Sequence, residues 1–274
     1  MGTDHQPHTG QRFNRLLSED SQQAQALLAS SEWLQEESVH QFRLCIKRLR
    51  AGWRMLRAPA YKHHRHSADR VLKTAAQALG GKRDADVRLT TWRRLRADAK
   101  PAEIPLFDQL EALLRNHAAP ASPPASPEAL SALLGQEEAI RADANVERCR
   151  WRELKEGRDW AAEKNRLLAQ KALGGEDQEN YHRWRRWAKH LLYQRLLAAT
   201  VRGHKLGKRQ QTLNRLATEL GRKHDLDMLA TFLANTARSK KQQAAHRALL
   251  PVIASTNRRY QARISKLYRS FNKN

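Results

Sequence analysis

Residues 38–57 read SVHQFRLCIKRLRAGWRMLR. Apolar side chains at Val39, Phe42, Ile46, Leu49, Trp53 and Leu56 recur every three or four positions, the period of one helix face. A half-buried strand would alternate every second residue. The stretch therefore predicts an α-helix over about 39–57 with a core face. His40, Arg43, Lys47, Arg50 and Arg54 form a second stripe one position, about 100°, further round. Arg48 and Arg57 fall elsewhere and are read as facing solvent. No acidic residue lies between Ser38 and Arg57, and like charges at i,i+4 repel by a few tenths of a kcal/mol per pair. Such a stripe advances about 5 Å per turn, which suits successive anionic groups. Arg offers a fork and Lys a point charge to phosphate oxygens. Taken alone, the helix leaves a second reading open, in which its basic flank only snorkels over the core.

The composition extends the helical reading to the whole chain. Of 274 residues only 12 are Gly and nine are Pro, and Ala, Leu, Arg, Gln, Lys and Glu are good helix formers. The net charge is +23 and the pI about 10.8. So large an excess repels itself, and a polyanion relieves it: nucleic acid, an anionic membrane or a phosphate polymer. The two cysteines form no C-x-x-C, which excludes a cysteine zinc site, and nothing supports a disulfide. The N-terminal residues have no signal-peptide core. No run of about 18 apolar residues predicts a membrane span, so no membrane partner is expected and the cytoplasm is the default compartment.

Further along, apolar periodicity predicts helices near 13–34, 60–79, 84–99 and 104–117, then near 128–170, 179–201, 204–220, 225–248 and 250–271. Residues 1–12 are read as disordered. The segment AAPASPPASP (118–127) holds four of the nine prolines and is read as a linker. It separates a first helical half, 13–117, from a second, 128–274. The halves echo each other. LGGKRDADVRL (79–89) matches LGRKHDLDMLA (220–230) at an offset of 141, and VHQFRLCIKRL (39–49) matches YHRWRRWAKHL (181–191) at 142. Two motifs at nearly one offset point to a duplication. The second stripe is weaker, since Leu192 stands where Arg50 would be, although Arg183, Arg186, His190 and Arg195 keep that helix basic. Trp184 and Trp187 fit a core role better than stacking on a base.

On these residues the sequence resembles the CHAD family, helical domains named for their conserved histidines. The resemblance rests on VHQFRLCIKRLR, LGGKRDADV, YHRWRRWAKHLLY and LGRKHDLDML, and it covers about residues 20–271 as one domain. It implies an all-α fold of two homologous antiparallel helical bundles related by a pseudo-twofold, with a basic groove or pore between them. It also implies binding of inorganic polyphosphate and association with polyphosphate granules. Position by position, His40, Arg43, Lys47, Arg50, His182, Arg185 and Lys189 would line that surface. Arg83 and His224 fill the basic position before each D-x-D. Arg54, Lys73, Arg186 and Arg222 are counted with them. The chain is expected to be a stand-alone member.

Other constellations carry less. Asp84/Asp86 and Asp225/Asp227 follow glycine where a helix should begin, so helix capping is their expected role, ahead of pairing with stripe arginines or holding Mg²⁺. The histidines of YKHHRHS (61–67) lack the i,i+4 spacing of metal ligands. No P-loop, G-x-S-x-G or Cys/His nucleophile arrangement is present. The expectation is therefore non-catalytic polyphosphate binding, with no catalytic or metal residues and no cofactor. A basic helical protein that binds nucleic acid is the alternative, and a metal-dependent enzyme acting on polyphosphate or a triphosphate stands behind it. The sequence does not give the oligomeric state.

Overall fold

The computed structural model describes residues 9–116, 125–175 and 177–273, and for residues 80–84 the backbone alone. It is all-helical: α1 Thr9–Ala29, α2 Glu36–Trp53, α3 Lys62–Ala78, α4 Gly80–Ala97, α5 Ile104–Asn116, α6 Pro127–Asp143, α7 Trp151–Leu173, α8 Gln178–Arg202, α9 Lys208–Thr236 and α10 Lys240–Lys273. No strand occurs among the described residues.

The chain divides into two compact units. The first comprises Met1–Leu79, Pro124–Leu168 and Arg186–Gln211, the second Gly80–Pro123, Ala169–Arg185 and Thr212–Asn274. Each takes chain from both sides of the 118–127 segment, so neither coincides with one sequence half.

In the first unit α2 packs on α1 and α3, and α6 closes the ring by packing on the same two helices, the arrangement of a four-helix bundle. The predicted core stripe of α2 is buried throughout, from Val39 to Leu56. It meets Phe13 and Leu17 of α1, Leu72 of α3, and Leu130 and Leu134 of α6. The helix stops at Trp53, four residues short of the predicted end. Trp53, Met55 and Leu56 are all fully buried. In a continued helix Met55 would point about 200° away from Trp53, so the chain turns instead, with Met55 N–H donating to Gly52 O at 2.8 Å.

Several polar groups inside this bundle find partners. Glu137 of α6 is completely buried. It accepts from Trp53 Nε1 at 2.7 Å and lies 3.4 Å from Arg141 Nε. Arg141 Nη1 also donates to Asn14 Oδ1 at 2.8 Å and Ser18 Oγ at 2.6 Å. Burial pushes the Glu137 carboxyl up, and Arg141 and Trp53 oppose that. Arg48, expected in solvent, pairs with buried Asp20 of α1 at 3.2 Å. Arg57 lies on the Trp160 ring, 3.6 Å from its centroid. Cys45 and Cys149 are buried free thiols.

In the second unit α5 packs on α4 and α10. Trp92 meets Phe107 with ring centroids 4.6 Å apart, and Trp184 meets Tyr268 edge-on at 5.3 Å. The core face of α10 runs Ala245, Leu249, Ile253, Thr256, Tyr260, Ile264, Tyr268 and Phe271.

Several predicted breaks are absent. Helix α1 begins at Thr9, inside the stretch expected to be disordered; residues 1–8 lie outside the described residues. Its start is pinned because Gly10 packs on the Glu147–Cys149 backbone, where an added Cβ would lie 2.2 Å from Glu147 O. Most of the expected linker, 118–124, is outside the described residues, but its end starts α6: Ser126 Oγ accepts from Ala129 N–H at 3.2 Å, with Pro127 at the first helical position. Pro251 lies inside α10 on an exposed side, where water can satisfy the carbonyl that proline leaves without a donor. Conversely, the single segment predicted over 128–170 is two helices, parted at Asn145 with φ 50°, a left-handed position that Asn tolerates.

Two glycines separate close packing from open helix. Gly157 of α7 lies so near Met55 that an added Cβ would sit 1.9 Å from Met55 O, whereas Gly135 of α6 has nothing within 4 Å. Gly157→Ala is expected to destabilise the fold by at least about 2 kcal/mol through overpacking. Gly135→Ala should stabilise it by about 0.5–1 kcal/mol through helix propensity. Urea unfolding midpoints of both variants check the pair; equal shifts would contradict the packing.

Candidate functional site

The cationic stripe of α2 lies beside the core face, as its spacing requires, but one acid meets it. Asp69 of α3 accepts from Arg50 Nε at 3.0 Å and from Arg54 Nη2 at 3.0 Å, both through Oδ1. All three side chains are half-buried. Burial alone would raise the Asp69 carboxyl, but the two arginines outweigh it and hold the carboxyl below its usual range. Arg54 sits at the C-cap of α2, and its guanidinium lies 5.4 Å from the Trp187 ring centroid, within cation–π reach.

α8 adds to the same cluster. Burial lowers the Arg54 pKa, and the charges of Arg50 and Arg186 lower it further, against Asp69. His190 lies one turn beyond Arg186. Its Nδ1 is buried and makes no hydrogen bond. Burial, then the charges of Arg54 and Arg50, press its pKa well below 6.5, so the ring is neutral at physiological pH. Two guanidiniums share one carboxylate, with the charge of Arg186 and the neutral His190 ring beside them.

The other sequence-predicted residues of this unit spread out from the cluster. Arg43 Nη1 donates to Ala76 O at 2.6 Å, satisfying a carbonyl in the last turn of α3. Lys47 and Lys189 are half-buried, and His40 is exposed, about 20 Å of helix from Arg54. Lys73 is exposed on α3.

In the second unit His182 of α8 meets His224 of α9, Nδ1 to Nδ1 at 3.1 Å, with ring centroids 4.5 Å apart. One ring must donate and the other accept, so the accepting ring is neutral. Arg185 lies over Gly221. Arg222 is paired with Glu219, and Arg263 reaches that carboxylate at 3.8 Å. The Arg83 and Asp84 side chains lie outside the described residues.

The D-x-D reading needs correction. α9 runs unbroken through Gly221, so Asp225 and Asp227 are mid-helix and cap nothing. Buried Leu216, Leu220, Leu226 and Leu229 line the helix on both sides of the glycine, and that packing offsets its cost of about 1 kcal/mol. Asp227 pairs instead with buried Lys223 at 2.9 Å, whose Nζ lies 4.5 Å from the Tyr181 ring centroid. In the first copy α4 begins at Gly80, not at Asp84. His64 Nε2 of the three-histidine stretch meets Asp143 at 2.9 Å. Among the described residues no three His, Cys, Asp or Glu side chains gather as metal ligands would, and no helix is long and apolar enough to cross a membrane.

Asp69 and His190 were missed as members of the site. Asp69 had a readable signal, being the only acid between Glu37 and Asp84. His190 had none beyond its basic helix, because its burial depends on how α8 packs.

The neutral His190 gives a pH test. Its folded pKa is depressed, so the unfolded chain binds a proton there that the folded chain refuses, and stability is lost as pH falls below 6.5. His190→Gln should remove this loss, up to about 1.4 kcal/mol per pH unit. Asp20 acts in the opposite sense. Burial, opposed by Arg48, raises it to about 6, and its contribution is lost as pH rises through that value. Comparing His190→Gln with the parent at pH 7 and pH 5 cancels the Asp20 effect. An unchanged pH slope in the variant would contradict the burial of His190.

Comparison with known proteins follows the same lines. The model of the CHAD domain matches residues 17–234. The crystal structure of the CHAD domain from the plant Ricinus communis superposes with a TM-score of 0.55 at 19% identity, covering 93% of this chain and 92% of that one. No curated protein matches the chain.

Proposed function

This chain belongs to the CHAD domain family, and from that premise we propose that it binds inorganic polyphosphate without turning it over. The reading places the polymer on the cations of the first unit, along α2 and over Arg186 and Lys189 of α8. One observation carries it: Arg50 and Arg54 share one oxygen of the Asp69 carboxylate, and the charge of Arg186 reaches Arg54 as well. Two guanidiniums on one carboxylate leave a net positive charge there, held in place by packing. A chain of phosphates supplies what is lacking, and its oxygens suit the arginine forks.

Binding of this kind releases counterions from the polymer, so affinity falls linearly with salt on logarithmic axes. In the second unit, several of the expected residues already have partners. Arg222 already has Glu219, and His182 and His224 bond each other. Cytoplasmic association with polyphosphate granules belongs to the same proposal.

Arg186 is the position to test, because it is exposed while Arg43 also supports α3. Arg186→Glu is expected to weaken binding of long-chain polyphosphate at least tenfold at about 150 mM salt, with helicity unchanged and a salt slope shallower by about 1. Titration calorimetry against duplex DNA at matched charge is the control. Equal affinity for DNA, or unchanged affinity in the variant, would overturn the proposal. Orthophosphate release that disappears in Asp225→Asn would replace it with catalysis.

A further inference from the structure

A second basic concavity of the first unit lies at the far end of α8, about 20 Å of helix beyond Lys189. A cavity of about 320 Å³ is lined by Trp151 and Arg158 of α7, Arg195 and Arg202 of α8, and His204 and Lys205 of the connection to α9. No carboxylate is among its lining residues. The connection is folded onto α8 by Gly203, whose φ of 67° is a left-handed value that glycine adopts freely. That turn lets His204 N–H donate to Ala199 O at 2.8 Å.

The cations here are held in place. Arg202 and Arg158 lie 5.0 and 5.9 Å from the Trp151 ring centroid, cation–π distances that orient both groups. Arg158 also pairs with Asp159 at 2.9 Å. Arg195 is fixed through Nε, which donates to Gln210 Oε1 at 3.0 Å, while Gln210 Nε2 donates to Leu192 O at 3.1 Å. Burial lowers the Arg195 pKa, and the charges of Arg209 and Arg158 lower it further, the signature of cations crowded together in a site partly shielded from water.

We propose that this cavity binds a compact anion carrying two or three phosphoryl groups, at a site separate from the polymer surface of α2. Its volume lies at the small end of ligand pockets, which suits a short condensed phosphate or the phosphate end of a nucleotide. Oriented guanidiniums match phosphoryl oxygens two at a time. This assignment does not depend on the polyphosphate reading.

Titration of the full chain with inorganic tripolyphosphate tests it. The wild type should show a class of sites that Arg202→Glu/Lys205→Glu weakens at least tenfold and Arg186→Glu leaves intact. Lys205→Glu alone, at an exposed position, should weaken the same class and guards against misfolding of the double variant. Competition by ADP would identify nucleotide phosphate as the source; retained tripolyphosphate binding without ADP competition would identify inorganic phosphate. Wild-type affinity and stoichiometry in the double variant would overturn the assignment, as would loss of all binding in Arg186→Glu.

Discussion

Asp69 accepts hydrogen bonds from both Arg50 and Arg54 through one oxygen. This shared carboxylate lets a cationic stripe lie against a hydrophobic core. Without it, the half-buried guanidiniums of Arg50 and Arg54 would repel each other with no carboxylate between them. With it, two are fixed in direction while the local charge stays positive. His190 fits the same constraint. A fourth charge would be costly there, and burial together with the neighbouring arginines keeps the ring neutral.

The bundle beneath supplies the rigidity. Trp53 ends α2 inside the core and donates to buried Glu137, and Gln194 of α8 donates to Ala51 O at 3.1 Å. α1 approaches closely at Gly52, where an added Cβ would lie 2.5 Å from Leu17. The residues that fix the end of α2 are therefore neighbours in sequence of the arginines that carry its charge. A substitution at the tight glycine or the buried tryptophan would disturb the site without touching an anion.

Much of this was legible beforehand, and the failures have physical causes. Composition and three-four spacing gave the all-helical fold and the buried face of α2, because both depend on local periodicity. Helix ends were less legible. Gly221 fell in a predicted gap and Pro251 just after another, yet α9 and α10 pass through both, since tertiary packing overrides single-residue propensity. The Asp225/Asp227 pair then lost its capping role and Asp227 took Lys223 as a partner. Arg43, Arg50 and Arg54 were found as a stripe, but their partners on α3 are set by helix packing that no spacing in α2 encodes. The basic cavity at Trp151 was invisible for the same reason: its cations come from separate segments and meet only once α7 and α8 are packed.

The central claim is that the cluster around Asp69 meets an anionic chain. Amide hydrogen exchange with and without long-chain polyphosphate tests it most directly. Added protection should be greatest in α2 and in residues 186–190 of α8. Protection confined to the exposed basic face of α10, or none at all, would contradict it.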